Sequence, residues 1–166
     1  MPCNADFSLT LTMRGLGRYM DVVSNAVRSH IMSRITGKNT QPELMLRKAL
    51  HHKGVRYSLH ARSLPGRPDI VLPKANLVIF VNGCFWHWHG CRRSRLPSDN
   101  RAYWREKIGR NVSRDNSNYI ALQNLGWRVL LVWECALKKT TLEETVEQVL
   151  SFISSEKSFA SVELIT

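Results

Sequence analysis

Apolar and polar positions recur with two different periods along this chain, and the switches between them outline a sheet flanked by helices. From Ser24, a residue suited to a helix N-cap, Val27, Ile31 and Ile35 fall on one helical stripe that Gly37 ends. Asn39 or Thr40 is placed to cap a second helix, with Pro42 and Glu43 in its first turn and Gly54 just past its end. The period then shortens to that of strands. Arg56 to Leu59 reads as a short strand, Leu64-Pro65-Gly66-Arg67-Pro68 as a rigid connection, and Asp69-Ile70-Val71-Leu72 as the next strand. Pro73 to Asn76 turns the chain back into Leu77 to Val81, a buried strand paired with it as a hairpin.

Helical patterning resumes from about Asn100 to Leu125, with a break expected near Gly109 and a C-terminal cap at Gly126. The run Trp127 to Trp133 predicts a central strand that delivers Cys135 at its end. Thr141-Leu142-Glu143-Glu144 has the form of a capping box, and the last helix runs to about Phe152. Residues 1–23 read as a flexible extension and the tail from Glu156 as loose, leaving one domain over 24–155. The order ααβββαβα predicts an α/β fold with a mixed central sheet between helices.

Composition fits a single core: 166 residues, 43% apolar and 22% charged. The sequence has neither the roughly 18 unbroken apolar residues of a membrane span nor the basic start and apolar block of a secretory signal. A cytoplasmic protein is expected. The formal charge of +11 changes the picture more, because it points to a polyanionic partner whose phosphates release counterions on binding. The excess is uneven: Arg92, Arg93, Arg95, Arg101, Arg105, Lys107, Arg110 and Arg114 face only Asp99 and Glu106 in their stretch. A solubilising face is the bland reading, but this excess adjoins an aromatic cluster and suits a phosphate-contacting surface.

That cluster is the segment Asn82-Gly83-Cys84-Phe85-Trp86-His87-Trp88-His89-Gly90-Cys91. Strands normally give way to small polar turn residues, so these rings and imidazoles read as a site. Cys84, His89, Cys91 and Cys135 form a Cys3His set suited to zinc in a closed tetrahedron, a structural rather than catalytic arrangement. Three unrelated buried thiols are the alternative, and His87 could stand in for His89. Cys3 lies apart as an uninvolved thiol.

Leu64-Pro65-Gly66-Arg67-Pro68-Asp69, Gly83-Cys84-Phe85-Trp86-His87, Glu106-Lys107-Ile108-Gly109, Gly126-Trp127-Arg128-Val129-Leu130 and Val132-Trp133-Glu134-Cys135 closely resemble motifs of the very short patch repair (Vsr) DNA mismatch endonucleases. The likeness spans about residues 25–153 and puts the zinc ligands in register. It implies a restriction-endonuclease-like core. It also implies an enzyme that nicks one strand beside the T of a T:G mismatch, the lesion left by 5-methylcytosine deamination, giving a 3′-hydroxyl and a 5′-phosphate.

Phosphodiester hydrolysis needs a nucleophilic water, a cation against the developing charge and a proton acceptor. An Asp after Pro is often only a turn residue, but the resemblance makes Asp69 the magnesium ligand, joined by the main-chain carbonyl of Val81. His87 becomes the base or proton relay. Glu43, otherwise a dipole-stabilising carboxylate, is implied to orient His87 or a metal-bound water. Asn82 stands where some members carry a second histidine, and is left to hydrogen-bond a phosphate oxygen or water.

Phe85, Trp86 and Trp104 match wedge positions, Lys107 and Asn111 match contacts to the mismatched pair, and Met32 would enter from the other groove. The implied cofactors are catalytic Mg²⁺ and structural Zn²⁺. The implied partners are mismatched duplex DNA and other mismatch-repair proteins, with a monomer sufficient for an asymmetric lesion.

Overall fold

The computed structural model describes residues 38–163. The first expected helix, with Met32, lies outside the described residues. Helix α1 (Gln41–His52) is capped at Thr40, whose N–H donates to Glu43 Oε2 at 3.2 Å, as the sequence led one to expect. Strand β1 (Ser58–Leu59) is followed by β2 (Ile70–Leu72), a single 3₁₀ turn over Pro73–Ala75, and β3 (Leu77–Asn82). Asn76 makes the reversal in the left-handed region at φ 45°, a conformation asparagine tolerates.

Helix α2 (Arg101–Asn124) is continuous through Gly109. The expected break is absent because a Cβ there would meet nothing within 4 Å, so the glycine sits on an open face and costs only about 1 kcal/mol of propensity. Strand β4 (Arg128–Trp133), helix α3 (Leu142–Ser154) and strand β5 (Phe159–Val162) complete the described chain. Thr141 does not act as a capping-box residue; its hydroxyl donates instead to Ala136 O at 2.7 Å. The tail is likewise not loose through Val162, since β5 pairs in parallel with β4. Its alternation of Phe159, Ser161 and Val162 about Ala160 is too short and too polar to declare a strand in advance.

The sheet order is β1-β2-β3-β4-β5, antiparallel from β1 to β3 and parallel from β3 to β5. This is a mixed α/β fold. Alternation along β3 divides its side chains between two cores. Leu77 and Ile79 pack with Leu46 and Leu50 of α1 and Val146, Val149 and Phe152 of α3. Val78 and Phe80 pack with Tyr119 and Leu122 of α2 on the opposite face. Each fully buried leucine or isoleucine contributes about 1.5–3 kcal/mol, which fixes the register on both faces. Lys53 donates to Glu143 at 2.6 Å and to Glu147 at 2.8 Å, tying the end of α1 to α3. Among the described residues no helix is long and apolar enough to cross a membrane.

Candidate active site and metal cluster

The site begins where β2 stops and β3 runs on. Pairing joins Ile70 to Ile79 and Leu72 to Leu77, so β3 beyond Ile79 presents an edge that β2 no longer covers. Asp69, one residue before β2, fills that gap: its Oδ2 accepts the Val81 N–H at 2.8 Å. A strand residue sends its N–H and C=O to the same side, so the Val81 carbonyl shares this edge with the carboxylate. Burial raises the Asp69 carboxyl to about 6, the Val81 hydrogen bond pulling the other way, with Glu43 raising it further and His87 and Arg47 lowering it. Those neighbours place Asp69, Glu43 and His87 in one electrostatic environment.

Glu43 is 2% exposed, far from the surface carboxylate its helix position alone would suggest. Its Oε1 accepts from Arg47 Nη1 at 2.7 Å and lies 3.3 Å from His60 Nε2. The imidazole in contact with Glu43 is His60. His60 Nδ1 is 4.0 Å from Asp69 Oδ1, and Glu43, His60 and Asp69 together could hold a metal ion. His60 was not evident in the sequence, where it follows a two-residue strand in a polar loop.

His87 sits in the turn after β3, its N–H donating to Gly83 O at 3.2 Å. Its Nδ1 lies 2.5 Å from Asp115 Oδ2, a carboxylate on α2 that the sequence reading also missed. A readable signal existed: Trp104, Ile108, Asn111, Asp115, Tyr119 and Leu122 recur at helical spacing, and an acid on such a stripe faces the protein rather than water. With Nδ1 protonated toward Asp115, Nε2 keeps a lone pair for a proton acceptor's role. Asn82 is buried on the α2 face, and its Nδ2 donates to the Tyr119 hydroxyl at 3.0 Å. One amide N–H of Asn82 is thus engaged within the protein.

Cys84, His89, Cys91 and Cys135 converge, with His89 rather than His87 completing the set. His89 Nδ1 is 3.7 Å from Cys84 Sγ and 3.4 Å from Cys135 Sγ, and all four ligand atoms lie within 4.8 Å of one another. The three cysteines are free thiols. Burial pushes the Cys84 thiol far up, so a nearby cation is needed to ionise it. Burial also raises Cys91, but hydrogen bonds from His89, the Arg93 main chain and Ser94 outweigh it and bring the thiol to about 6.

The rings of the window form a chain of edge-to-face contacts. Phe85 meets Trp86 at 5.1 Å and Trp104 at 5.4 Å, and Trp86 meets Trp104 at 6.0 Å. Lys107 Nζ lies over Trp86 at 5.6 Å and Trp104 at 5.4 Å, while Asn111 Nδ2 donates to Trp86 O at 3.1 Å. Five of the six expected DNA-contact residues are thus gathered in one place. Phe85 and Trp86 are only half-exposed and Trp104 is buried. The exposed rings beside them are Trp88 and Tyr103, at 40% and 51%.

A basic, ring-bearing surface attracts a polyanion, and a buried carboxylate within electrostatic reach of an imidazole suits hydrolysis of that polyanion's backbone, which points to a nuclease. Sequence comparison agrees. The family described as DNA mismatch endonuclease Vsr matches residues 20–93. The type II nicking enzyme V.XorIIP of Xanthomonas oryzae is 48% identical over 117 residues, covering 70% of this chain and 86% of that protein. The DNA mismatch endonuclease Vsr of Escherichia coli is 42% identical over 146 residues, covering 86% and 94%. The type II nicking enzyme V.NmeAIP of Neisseria meningitidis is 40% identical over 122 residues, covering 74% and 87%. The chain belongs to the Vsr family of DNA mismatch endonucleases, hydrolases of DNA that act in repair.

Proposed function

We propose that this endonuclease nicks one strand of duplex DNA 5′ to the T of a T:G mismatch, using Mg²⁺ at Asp69 and the Val81 carbonyl, on a restriction-endonuclease-like core. The observation that carries this reading is the Asp69 carboxylate on the open edge of β3, in the same electrostatic environment as His87. The donors fit magnesium, which takes carboxylate and carbonyl oxygen and keeps waters. When bound, the ion supplies charge against the pentacovalent phosphate. His87 accepts the proton of the attacking water at Nε2, and Asp115 stabilises the resulting imidazolium. Glu43, held by Arg47 and Thr40, adds negative charge beside Asp69.

The cysteine cluster fits structural zinc. Zn–S bonds of about 2.3 Å in a tetrahedron place ligand atoms roughly 3.4–3.8 Å apart, close to the His89 distances to Cys84 and Cys135. Its role is to hold the ring-bearing turn, which has little core of its own. Phe85, Trp86, Trp104, Lys107 and Asn111 then form the surface that probes weakened stacking at the mismatch. A monomer suffices, working in the cytoplasm on nucleoid DNA, and other mismatch-repair proteins are candidate partners.

The deciding experiment is a nicking assay on T:G and fully paired duplexes of the same sequence, with and without magnesium. Single-strand incision of the T:G duplex alone, lost in Asp69→Ala and His87→Ala proteins that retain zinc, is the expected result. Robust cleavage by Asp69→Ala removes the metal assignment, and equal cleavage of both duplexes removes the mismatch assignment.

A further inference from the structure

The sheet's last strand reaches the cysteine cluster. Beyond β5, Glu163 meets His89 Nε2 through its Oε2. Two residues earlier, and therefore on the same side of the extended chain, Ser161 Oγ accepts the indole N–H of Trp133 at 2.8 Å. Trp133 in turn stacks on His89, ring centroids 4.4 Å apart and planes 19° from parallel. The His89 side chain is 7% exposed, gripped on its face by an indole and at its edge by a carboxylate. Its remaining nitrogen, Nδ1, is the one that faces Cys84 and Cys135.

We propose that Ser161 and Glu163 form a clamp that fixes the tautomer and aim of His89, with Nε2–H held by Glu163 and the Nδ1 lone pair presented to the metal. This rests on the zinc reading above. A carboxylate on the far nitrogen makes imidazole a better ligand and removes the freedom of its ring to turn away. Ser161 does the same indirectly, by keeping Trp133 parallel to the ring. Glu163 is thereby part of the metal module, although it lies 72 positions from Cys91 in sequence. Ser161 and Glu163 are both positioning residues, since each acts through His89.

Zinc content of the purified full chain, followed by the rate of zinc transfer to a colorimetric chelator, tests the clamp. Wild-type protein is expected to carry one zinc and Glu163→Ala to release it about 10–100-fold faster. Glu163→Gln, whose amide oxygen still accepts the Nε2–H, should fall between them, and Ser161→Ala should show a smaller acceleration. Release from Glu163→Ala at the wild-type rate overturns the clamp. A lowered melting temperature with unchanged release also overturns it, because that is the signature of a strap that only steadies the sheet. Wild-type protein that holds no zinc overturns the metal reading itself and the clamp with it.

Discussion

Asp115 stands 2.5 Å from His87, a carboxylate from the middle of a 24-residue helix meeting an imidazole from an irregular turn. The pair joins helix α2 to the turn that carries the rings. Asp115 also touches Arg114, whose Nη2 lies 3.3 Å from its other oxygen, so its charge is held on both sides.

Asp115→Asn should leave fold and zinc content intact while lowering the maximal nicking rate by about 10²–10⁴-fold, the range a positioned acid–base group supplies. The amide can present its N–H to Nδ1, which stabilises the tautomer with the proton on Nε2, where a base must be free. Single-turnover rates on a T:G duplex at saturating enzyme measure this. Wild-type rates in the variant would leave His87 without a need for its partner.

Asp69 makes the metal-free protein sensitive to pH in a definite direction. Its carboxyl is raised from 3.8 to about 6 in the folded state, so the protonated form is favoured by folding. The stability it contributes is complete below the unfolded value and is lost as pH rises through the folded one. Two pKa units correspond to about 3 kcal/mol at most. In magnesium-free buffer Asp69→Asn should therefore melt higher than wild type at pH 8, with the gap narrowing as pH falls through about 6 and closing only below the unfolded value of 3.8. A gap that widens on acidification would contradict the burial argument.

His60→Ala should weaken the response to magnesium more than the rate at saturating magnesium. The side chain bridges Glu43, at 3.3 Å, toward Asp69, at 4.0 Å, and its loss leaves the two carboxylates less well fixed. Titrating magnesium in the nicking assay separates the two effects. An unchanged half-saturation point would place His60 outside the ion's environment.

Trp86→Ala should reduce discrimination between T:G and paired DNA, because its ring sits within the edge-to-face cluster and under Lys107. Trp88→Ala and Tyr103→Ala remove exposed rings instead and should weaken binding to both duplexes alike, by about tenfold each if a stacked base is worth roughly 1–3 kcal/mol. Binding titrations on matched and mismatched duplexes distinguish these outcomes.

Stripping zinc should disturb the loop without unfolding the sheet. Cys84, Trp133 and Cys135 form a small cluster separate from the two main cores. Near-ultraviolet dichroism of the tryptophans should change and nicking should fall, while far-ultraviolet helical signal persists. Simultaneous loss of all three would show that the metal supports the whole domain.

The elements between Thr40 and Phe152 were legible because their signals are local: Thr40 and Glu43 at one helix start, Asn76 at the reversal, an apolar run in β3. The cysteine set was legible from ligand chemistry and the family register, with His89 as the imidazole, and the fold brings those four residues together. Asp115 was missed although it lies on a buried helical stripe, and Glu43 entered only through the family resemblance. His60 and Glu163 were not legible. Each acts through partners far along the chain, and neither a loop after a two-residue strand nor an edge strand of mixed polarity announces what it will face. Gly109 misled for a similar reason, since propensity alone cannot tell an open helix face from a packed one.

The continuity of β3 with the turn that follows it works as a ruler. Five peptide units join Val81, at the open edge, to Trp86 among the rings, so the two are never more than about 18 Å apart whatever the turn does. The proposed hydrolysis centre and the proposed probing surface share one short covalent tether. On that proposal the tether bounds how far incision can fall from whatever the rings engage, and lengthening the Gly83 turn by a residue should loosen that bound.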